Sequence, residues 1–106
     1  MADLERIGRA DEVVLLAFSE FGRRVPENTS LGTDHGTAGP MFVVGKPVRG
    51  GHYGPVPSLT ELTEGENLRH TTDFRRVYAT VADGWLGYRN TGRLLGTDFE
   101  PFPMFV

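Results

Sequence analysis

Two short runs of consecutive apolar residues stand out along the chain and predict strands. The first run is Val13–Phe18 and the second is Met41–Val44. Neither run alternates apolar with polar residues, and such runs are typical of strands that are covered on both faces. We therefore predict strands centred on residues 12–18 and 40–44, within a small sheet of two or three strands.

A single apolar stripe predicts an amphipathic helix over residues 72–86. Thr72 can cap the start of this helix, and the dipole favours Asp73 in its first turn. Gly87 supplies a stop at the other end. The stripe is predicted to pack against the sheet as core rather than to hold a cofactor. Its members, at helical spacing, are Phe74, Val77, Tyr78, Val81 and Trp85.

Both ends of the chain carry short, distinctive segments. Asp3–Arg9 has the pattern of the last turns of a helix that ends at Gly8. The tail Phe99–Val106 is apolar and rich in proline, so it either seals a groove on its own domain or docks on a partner. Together these elements predict one α/β domain over residues 1–106, with a C-terminal amphipathic helix.

The segment between the two apolar runs is long and lacks periodicity. It is rich in Gly, Thr, Asn and Pro, and the whole chain holds 14 glycines among 106 residues. Loops longer than about 12–15 residues are uncommon in compact domains unless they carry function. The segment also contains the densest polar cluster in the chain. We therefore favour a functional loop over its alternative, a disordered insertion.

Charge and composition exclude several classes of protein. Eleven basic and 14 acidic residues give a net charge of −3, which argues against a nucleic-acid binder with a basic face. No apolar stretch approaches the ~20 residues that cross a bilayer, and the start has no signal-peptide pattern. The absence of cysteine excludes disulfides, thiolate metal sites and a thiol nucleophile.

Candidate chemistry begins where the first predicted strand ends. Glu20 and Arg23 follow this strand, and ligands of open α/β sheets bind at the carboxyl ends of strands. A carboxylate there can ligate a divalent metal, and an arginine can clamp a tetrahedral oxyanion with two hydrogen bonds. The structural alternative is a loop carboxylate that pairs with Arg23 or Arg24.

A second candidate pair, Asp34 and His35, lies between glycines. Neutral imidazole is the commonest protein ligand of zinc-like ions, and a neighbouring carboxylate can ligate or orient the ring. The alternative is a capped turn with a satisfied histidine. His52 and His70 are predicted to be turn and surface residues. The N-glycosylation pattern that begins at Asn28 is too short to predict glycosylation, because three-residue matches often occur by chance.

Five segments follow one another along the chain: Ser19–Arg23, Gly32–Gly36, Met41–Gly45, Val48–Gly51 and Thr71–Arg75. In this order they resemble one family, the sulfatase-like exported bacterial proteins of the DUF1501 family. The resemblance is to the C-terminal part of these proteins and covers most of the chain. It implies a relation to the alkaline phosphatase and sulfatase superfamily, with part of an α/β core that carries a metal-assisted site for phosphate or sulfate esters.

The resemblance implies roles for individual residues. Glu20 falls where the superfamily's first motif has a metal-binding Asp, and His35 falls at a later metal-binding His. Together with Asp34, a candidate from its place beside His35, they are the expected ligands of zinc, calcium or manganese. Arg23 is the expected anion-binding residue because of its position after the first predicted strand. Phe21 departs from the pattern, because it replaces the first motif's His and removes a nitrogen ligand.

The resemblance also implies that the chemistry is incomplete. The superfamily's nucleophile lies in an N-terminal region, with a Trp-Asp-Thr-His-like segment in related proteins, and this sequence contains neither. No catalytic residue is therefore assigned here. One expectation is a partial or degenerate metal-dependent hydrolase that is completed by a missing N-terminal segment or a second chain. The alternative is a non-catalytic structural or interaction module.

Two expectations about context follow. A sheet cut from a larger core exposes edge strands and apolar faces, so self-association is expected, with the tail as the candidate contact surface. The resemblance implies an exported bacterial protein, although the sequence itself carries no signal peptide.

Overall fold

The computed structural model describes all residues, 1–106, and contains short helices and short strands. The strands are β1 (Leu15–Ala17), β2 (Gly22–Arg23), β3 (His35–Gly36) and β4 (Phe42–Val44). The helices are α1 (Ala2–Arg6), α2 (Phe74–Gly84) and α3 (Thr91–Leu95), with 3₁₀ turns at Ala10–Glu12 and Glu64–Glu66. Strand β1 pairs with β4, and β2 pairs with β3. The prediction of a small mixed helix and strand fold is confirmed.

The chain divides into two compact units. The first, which we call the helical unit, consists of Met1–Leu16, Val43–Tyr53 and Asp73–Val106. The second, which we call the hairpin unit, consists of Ala17–Phe42 and Gly54–Thr72. None of the helices has the length and apolar character that crossing a bilayer requires.

The strands predicted from the apolar runs are present, as β1 and β4. Val13 and Val14, just before β1, lie against Gly45, just after β4, as antiparallel pairing requires. The prediction that these strands are covered on both faces is wrong, because exposed and half-buried residues alternate along each of them. Leu15, for example, is 52% exposed. In a two-stranded sheet the pleat turns alternate side chains to opposite faces, and here one of those faces is open.

Helix α2 confirms the predicted helix, although its cap is Asp73 and not Thr72. The Asp73 Oδ1 accepts a hydrogen bond of 2.9 Å from the backbone N–H of Arg75. The Arg75 guanidinium also donates to both oxygens of Asp73, and this hydrogen bonding raises the pKa of Arg75 above its ordinary value. At the other end, Gly87 adopts the left-handed conformation expected of a helix stop, with φ of +69°.

The most buried residues of α2 lie outside the predicted stripe, although four members of the stripe, Val77, Tyr78, Val81 and Trp85, are half-buried. Phe74 is 56% exposed, whereas the buried residues of the helix are Ala79, Thr80 and Ala82. The tail comes close to this helix, since a Cβ added to Gly84 would lie 2.6 Å from Cδ2 of Phe105. A side chain at position 84 would therefore displace the ring of Phe105. The prediction that α2 packs across the sheet is wrong, because the main contacts of α2 are with α3 and the tail.

The tail Phe99–Val106 packs on its own unit. This is the first of the two alternatives predicted for it, in which it covers its own domain. The backbone N–H of Phe102 donates to Oγ1 of the fully buried Thr80, at 2.9 Å. The carbonyl of Met104 accepts from the N–H of Arg49, at 2.8 Å. Met104 is itself one of the few buried apolar residues. The tail is thus part of the core of the helical unit.

Candidate functional site

The predicted site residues lie on or beside the β2–β3 pair in the hairpin unit. The strands are antiparallel, and Arg23 stands directly opposite His35. The backbone N–H of Arg24 extends the ladder by donating to the carbonyl of Asp34, at 3.0 Å. Directly opposed residues of an antiparallel pair project to the same face. The register therefore brings Arg23 and His35 together, although the sequence places them on either side of a long loop.

Glycine is required for the strands to approach this closely. Gly22, opposite Gly36, is buried. A Cβ added to Gly22 would lie 1.5 Å from the carbonyl oxygen of Ala38, and one added to Gly36 would lie 2.6 Å from the carbonyl carbon of Arg23. Any larger residue at these positions forces the backbone apart. The glycines thus set the spacing of the pair that carries Arg23 and His35.

Phe21 forms an aromatic platform for both side chains. Its ring stacks on the imidazole of His35, with ring centroids 3.6 Å apart and planes inclined by 19°. The Arg23 Cζ lies 5.2 Å from the centroid of the same ring. Arg23 also donates through Nη1 to the carbonyl of Thr33, at 2.7 Å. We call Phe21, Arg23 and His35 the aromatic–cation cluster. Its arginine and histidine are exposed to solvent.

The two predicted carboxylates have only local partners. Asp34 Oδ1 accepts a hydrogen bond of 3.2 Å from Nδ2 of Asn28. Glu20 accepts one of 3.2 Å from the hydroxyl of Ser19, the residue before it. No ion pair joins Glu20 to either of the arginines expected as its structural partners. Both carboxylates are exposed and keep accepting capacity.

The predicted ligands do not form a complete metal site among themselves. The chain contains no group of three or more His, Cys, Asp or Glu side chains placed to hold one ion. Zinc sites in proteins use three or four such ligands. Glu20, Asp34 and His35 share the hairpin unit, but they do not fit a resident metal without further ligands.

Sequence analysis missed the role of Asn28, which organises the turn before Asp34. Its Oδ1 accepts from the backbone N–H groups of Ser30 and Gly32, at 2.9 and 3.0 Å. Its own N–H donates to the carbonyl of Gly32, at 2.8 Å. Asparagine often builds such turns in loops rich in Gly, Ser and Thr, and this tendency was the available signal. His52 and His70, predicted as turn and surface residues, are both exposed.

Leu31, at the tip of this turn, gives a stability prediction. Its φ is +61° and its side chain is 83% exposed, so the backbone is strained and the side chain gains little from packing. We expect Leu31→Gly to raise the free energy of unfolding by about 1 kcal/mol, because glycine adopts this conformation without the Cβ penalty. Urea denaturation measures the change.

The control for Leu31 is Leu59→Gly. Leu59 is 69% exposed in the same unit, and its φ is not positive. Glycine there adds backbone freedom to the unfolded chain and relieves no strain, so it should lower the stability. Equal effects of the two substitutions would contradict the role of the strained turn.

Comparison with known proteins gives one clear match. The family described as "Protein of unknown function (DUF1501)" matches residues 1–95, which include every residue of the site. No curated protein and no solved structure matches the chain. The segments that carry the predicted resemblance all lie within the matched range. The chain therefore belongs to the DUF1501 family.

Proposed function

We propose that the hairpin unit binds a tetrahedral oxyanion, the phosphate or sulfate group of an ester, on the aromatic–cation cluster. The observation that carries this proposal is the register that sets Arg23 opposite His35, with both side chains exposed. An arginine can offer two parallel N–H donors to such an oxyanion, and an imidazole can add a third. Two donors on one face are the minimum that such recognition needs.

The surroundings support a prearranged site. The Nη1 of Arg23 donates to the carbonyl of Thr33, and this hydrogen bond restrains the side chain. Nη2 and Nε are left as donors. Phe21 restrains the imidazole of His35 by stacking on it. Less side-chain entropy is lost on binding when the donors are already held in place. The cluster thus favours a small, compact anion.

We extend this proposal to the wider function that the resemblance implies. The chain would act as a partial or degenerate hydrolase domain of the phosphatase and sulfatase type, related to an alkaline phosphatase-like core. In that role it would bind the ester group, while a segment or chain outside this sequence supplies the nucleophile. Glu20, Asp34 and His35 would join ligands from the same source if zinc, calcium or manganese takes part. Self-association likewise remains a prediction.

One observation favours the alternative, a non-catalytic structural or interaction module. The same contacts that restrain Arg23 and His35 also occupy part of their binding capacity, because one guanidinium donor and one face of the imidazole are engaged. In this alternative the cluster holds the β2–β3 pair together and binds nothing. Anion binding separates the two functions.

The test is titration of the full chain with inorganic phosphate and with sulfate, followed by NMR and calorimetry. We expect saturable binding that shifts the His35 ring signals. Arg23→Gln and His35→Gln should each weaken it about tenfold, the effect of losing one charge-assisted hydrogen bond. The matched controls are Arg69→Gln and His70→Gln, which change exposed residues of the same unit. They should leave the affinity within about twofold of the original.

Two outcomes would contradict the proposal. The absence of saturable binding of either anion would overturn it, and so would equal losses in the control variants. We also expect no hydrolysis of phosphate or sulfate monoesters by this chain alone. Turnover that His35→Ala abolishes would show that the chain holds a complete catalytic site.

A further inference from the structure

The side chain of Asn28 makes three hydrogen bonds in the loop that precedes β3. It is half-buried, although the residues on either side of it are exposed. Its Oδ1 accepts from Ser30 and Gly32, and its Nδ2 donates to the carboxylate of Asp34. The carboxamide therefore uses both its acceptor and its donor. These hydrogen bonds give Asn28 a structural role that does not depend on the glycosylation pattern that begins there.

The bond to Asp34 connects this turn to the site. Residue 34 is held twice, since its carbonyl accepts from the backbone of Arg24 and its carboxylate accepts from Asn28. The next residue is His35, the first residue of β3. A residue held through both backbone and side chain transmits its position to its neighbour, because only two backbone torsions separate them.

We propose that Asn28 is the positioning residue of the site: it fixes the Asp34–His35 segment so that the imidazole stacks on Phe21 opposite Arg23. Asn28 acts through Asp34 and does not itself contact the anion. The positioning role is argued from the hydrogen bonds and does not need the proposed function. Its consequence for anion affinity rests on the proposed function.

The experiment exchanges the two partners. Asn28→Asp keeps an oxygen acceptor for Ser30 and Gly32 but sets a carboxylate against that of Asp34. Asp34→Asn removes the charged acceptor. The double variant Asn28→Asp/Asp34→Asn restores a carboxylate–amide pair with the donor and acceptor reversed, and its net charge equals that of the original chain. The double variant restores the pair and the net charge together, so the contacts between His35 and Phe21, rather than the phosphate affinity, separate the effect of the pair from that of the charge.

The first measurement is the ring-current shift of the His35 proton signals, with the nuclear Overhauser contacts between His35 and Phe21. We expect stacking at 3.6 Å to displace these signals strongly upfield in the original chain. Asn28→Asp, which removes the donor, should move them toward the values of an unstacked histidine, and the double variant should return them. Asp34→Asn keeps an oxygen acceptor for Nδ2 of Asn28 and should move them much less. This measurement requires no bound anion, so it tests the positioning role even where phosphate fails to bind.

The second measurement is phosphate affinity. We expect about a tenfold loss in Asn28→Asp and recovery to within about twofold in the double variant. The control is Asn67→Asp, because Asn67 supports another turn of the same unit by donating to the carbonyl of Glu64. It should change neither the His35 signals nor the affinity. Unmoved His35 signals in Asn28→Asp, or no recovery in the double variant, would overturn the proposal.

Discussion

Replacing Gly22 by alanine should disrupt the β2–β3 pair and cost the hairpin unit about 3 kcal/mol or more in free energy of unfolding. The added Cβ would lie 1.5 Å from the carbonyl oxygen of Ala38 and 2.1 Å from its carbonyl carbon. Backbone atoms cannot rotate away as the end of a flexible side chain can. The strand must move, and the Arg23–His35 register is lost with it.

The measurement is urea denaturation of the full chain, with NMR signals of the hairpin unit as the probe. The matched control is Gly32→Ala in the same unit, where the nearest atom to the added Cβ would be Oδ1 of Asn28 at 3.8 Å. That substitution meets ordinary van der Waals contact and should change the stability by less than about 1 kcal/mol. A Gly22→Ala chain that retains the Phe21–His35 stack and full stability would contradict the described packing.

The sequence predicted the elements that rest on local patterns. Apolar runs identified β1 and β4, and helical spacing identified α2. It could not predict β2 and β3, because strands of two residues are too short to show any periodicity. Their existence depends on two glycines that allow close approach, and the partners of those glycines are distant along the chain.

The prediction for the buried face of α2 failed for a related reason. Periodicity identifies the apolar stripe of a helix, but it does not say which side a later segment will cover. Here the buried residues of α2 are Ala79, Thr80 and Ala82, and the tail reaches Thr80 through the backbone N–H of Phe102. In the sequence, Thr80 interrupts the apolar pattern and does not predict burial. Its hydroxyl can be buried because the backbone N–H of Phe102, which is distant along the chain, donates to it.

The site was predicted at the level of residue types and not of geometry. Arg23 and His35 were chosen for their chemistry, and the structure brings them together. No pattern in the sequence predicts that Phe21 stacks on His35, and the resemblance marks Phe21 only as the loss of a ligand. The imidazole is thus supported by an aromatic ring where the resemblance implied a second metal-binding nitrogen.

Thr80→Val should lower the stability of the helical unit by about 2–3 kcal/mol. Valine has nearly the same shape as threonine, so packing is kept while the hydroxyl is lost. Thr80 is fully buried, donates to the carbonyl of Arg76 at 2.7 Å and accepts from the N–H of Phe102 at 2.9 Å. Without the hydroxyl, the Phe102 N–H is left in the interior with no acceptor, and an unsatisfied buried donor carries its full desolvation cost.

Urea denaturation measures the loss, and amide hydrogen exchange locates it. The Phe102 N–H should exchange much faster in the variant, because the tail opens locally where its anchoring bond is missing. Thr97→Val is the control, since Thr97 is exposed and the same change there should alter the stability by no more than about 0.5 kcal/mol. The helical unit has few buried apolar residues, so we expect the loss of this hydrogen bond to affect its stability measurably. Equal stabilities of the Thr80 and Thr97 variants would show that the tail is held by its aromatic contacts instead.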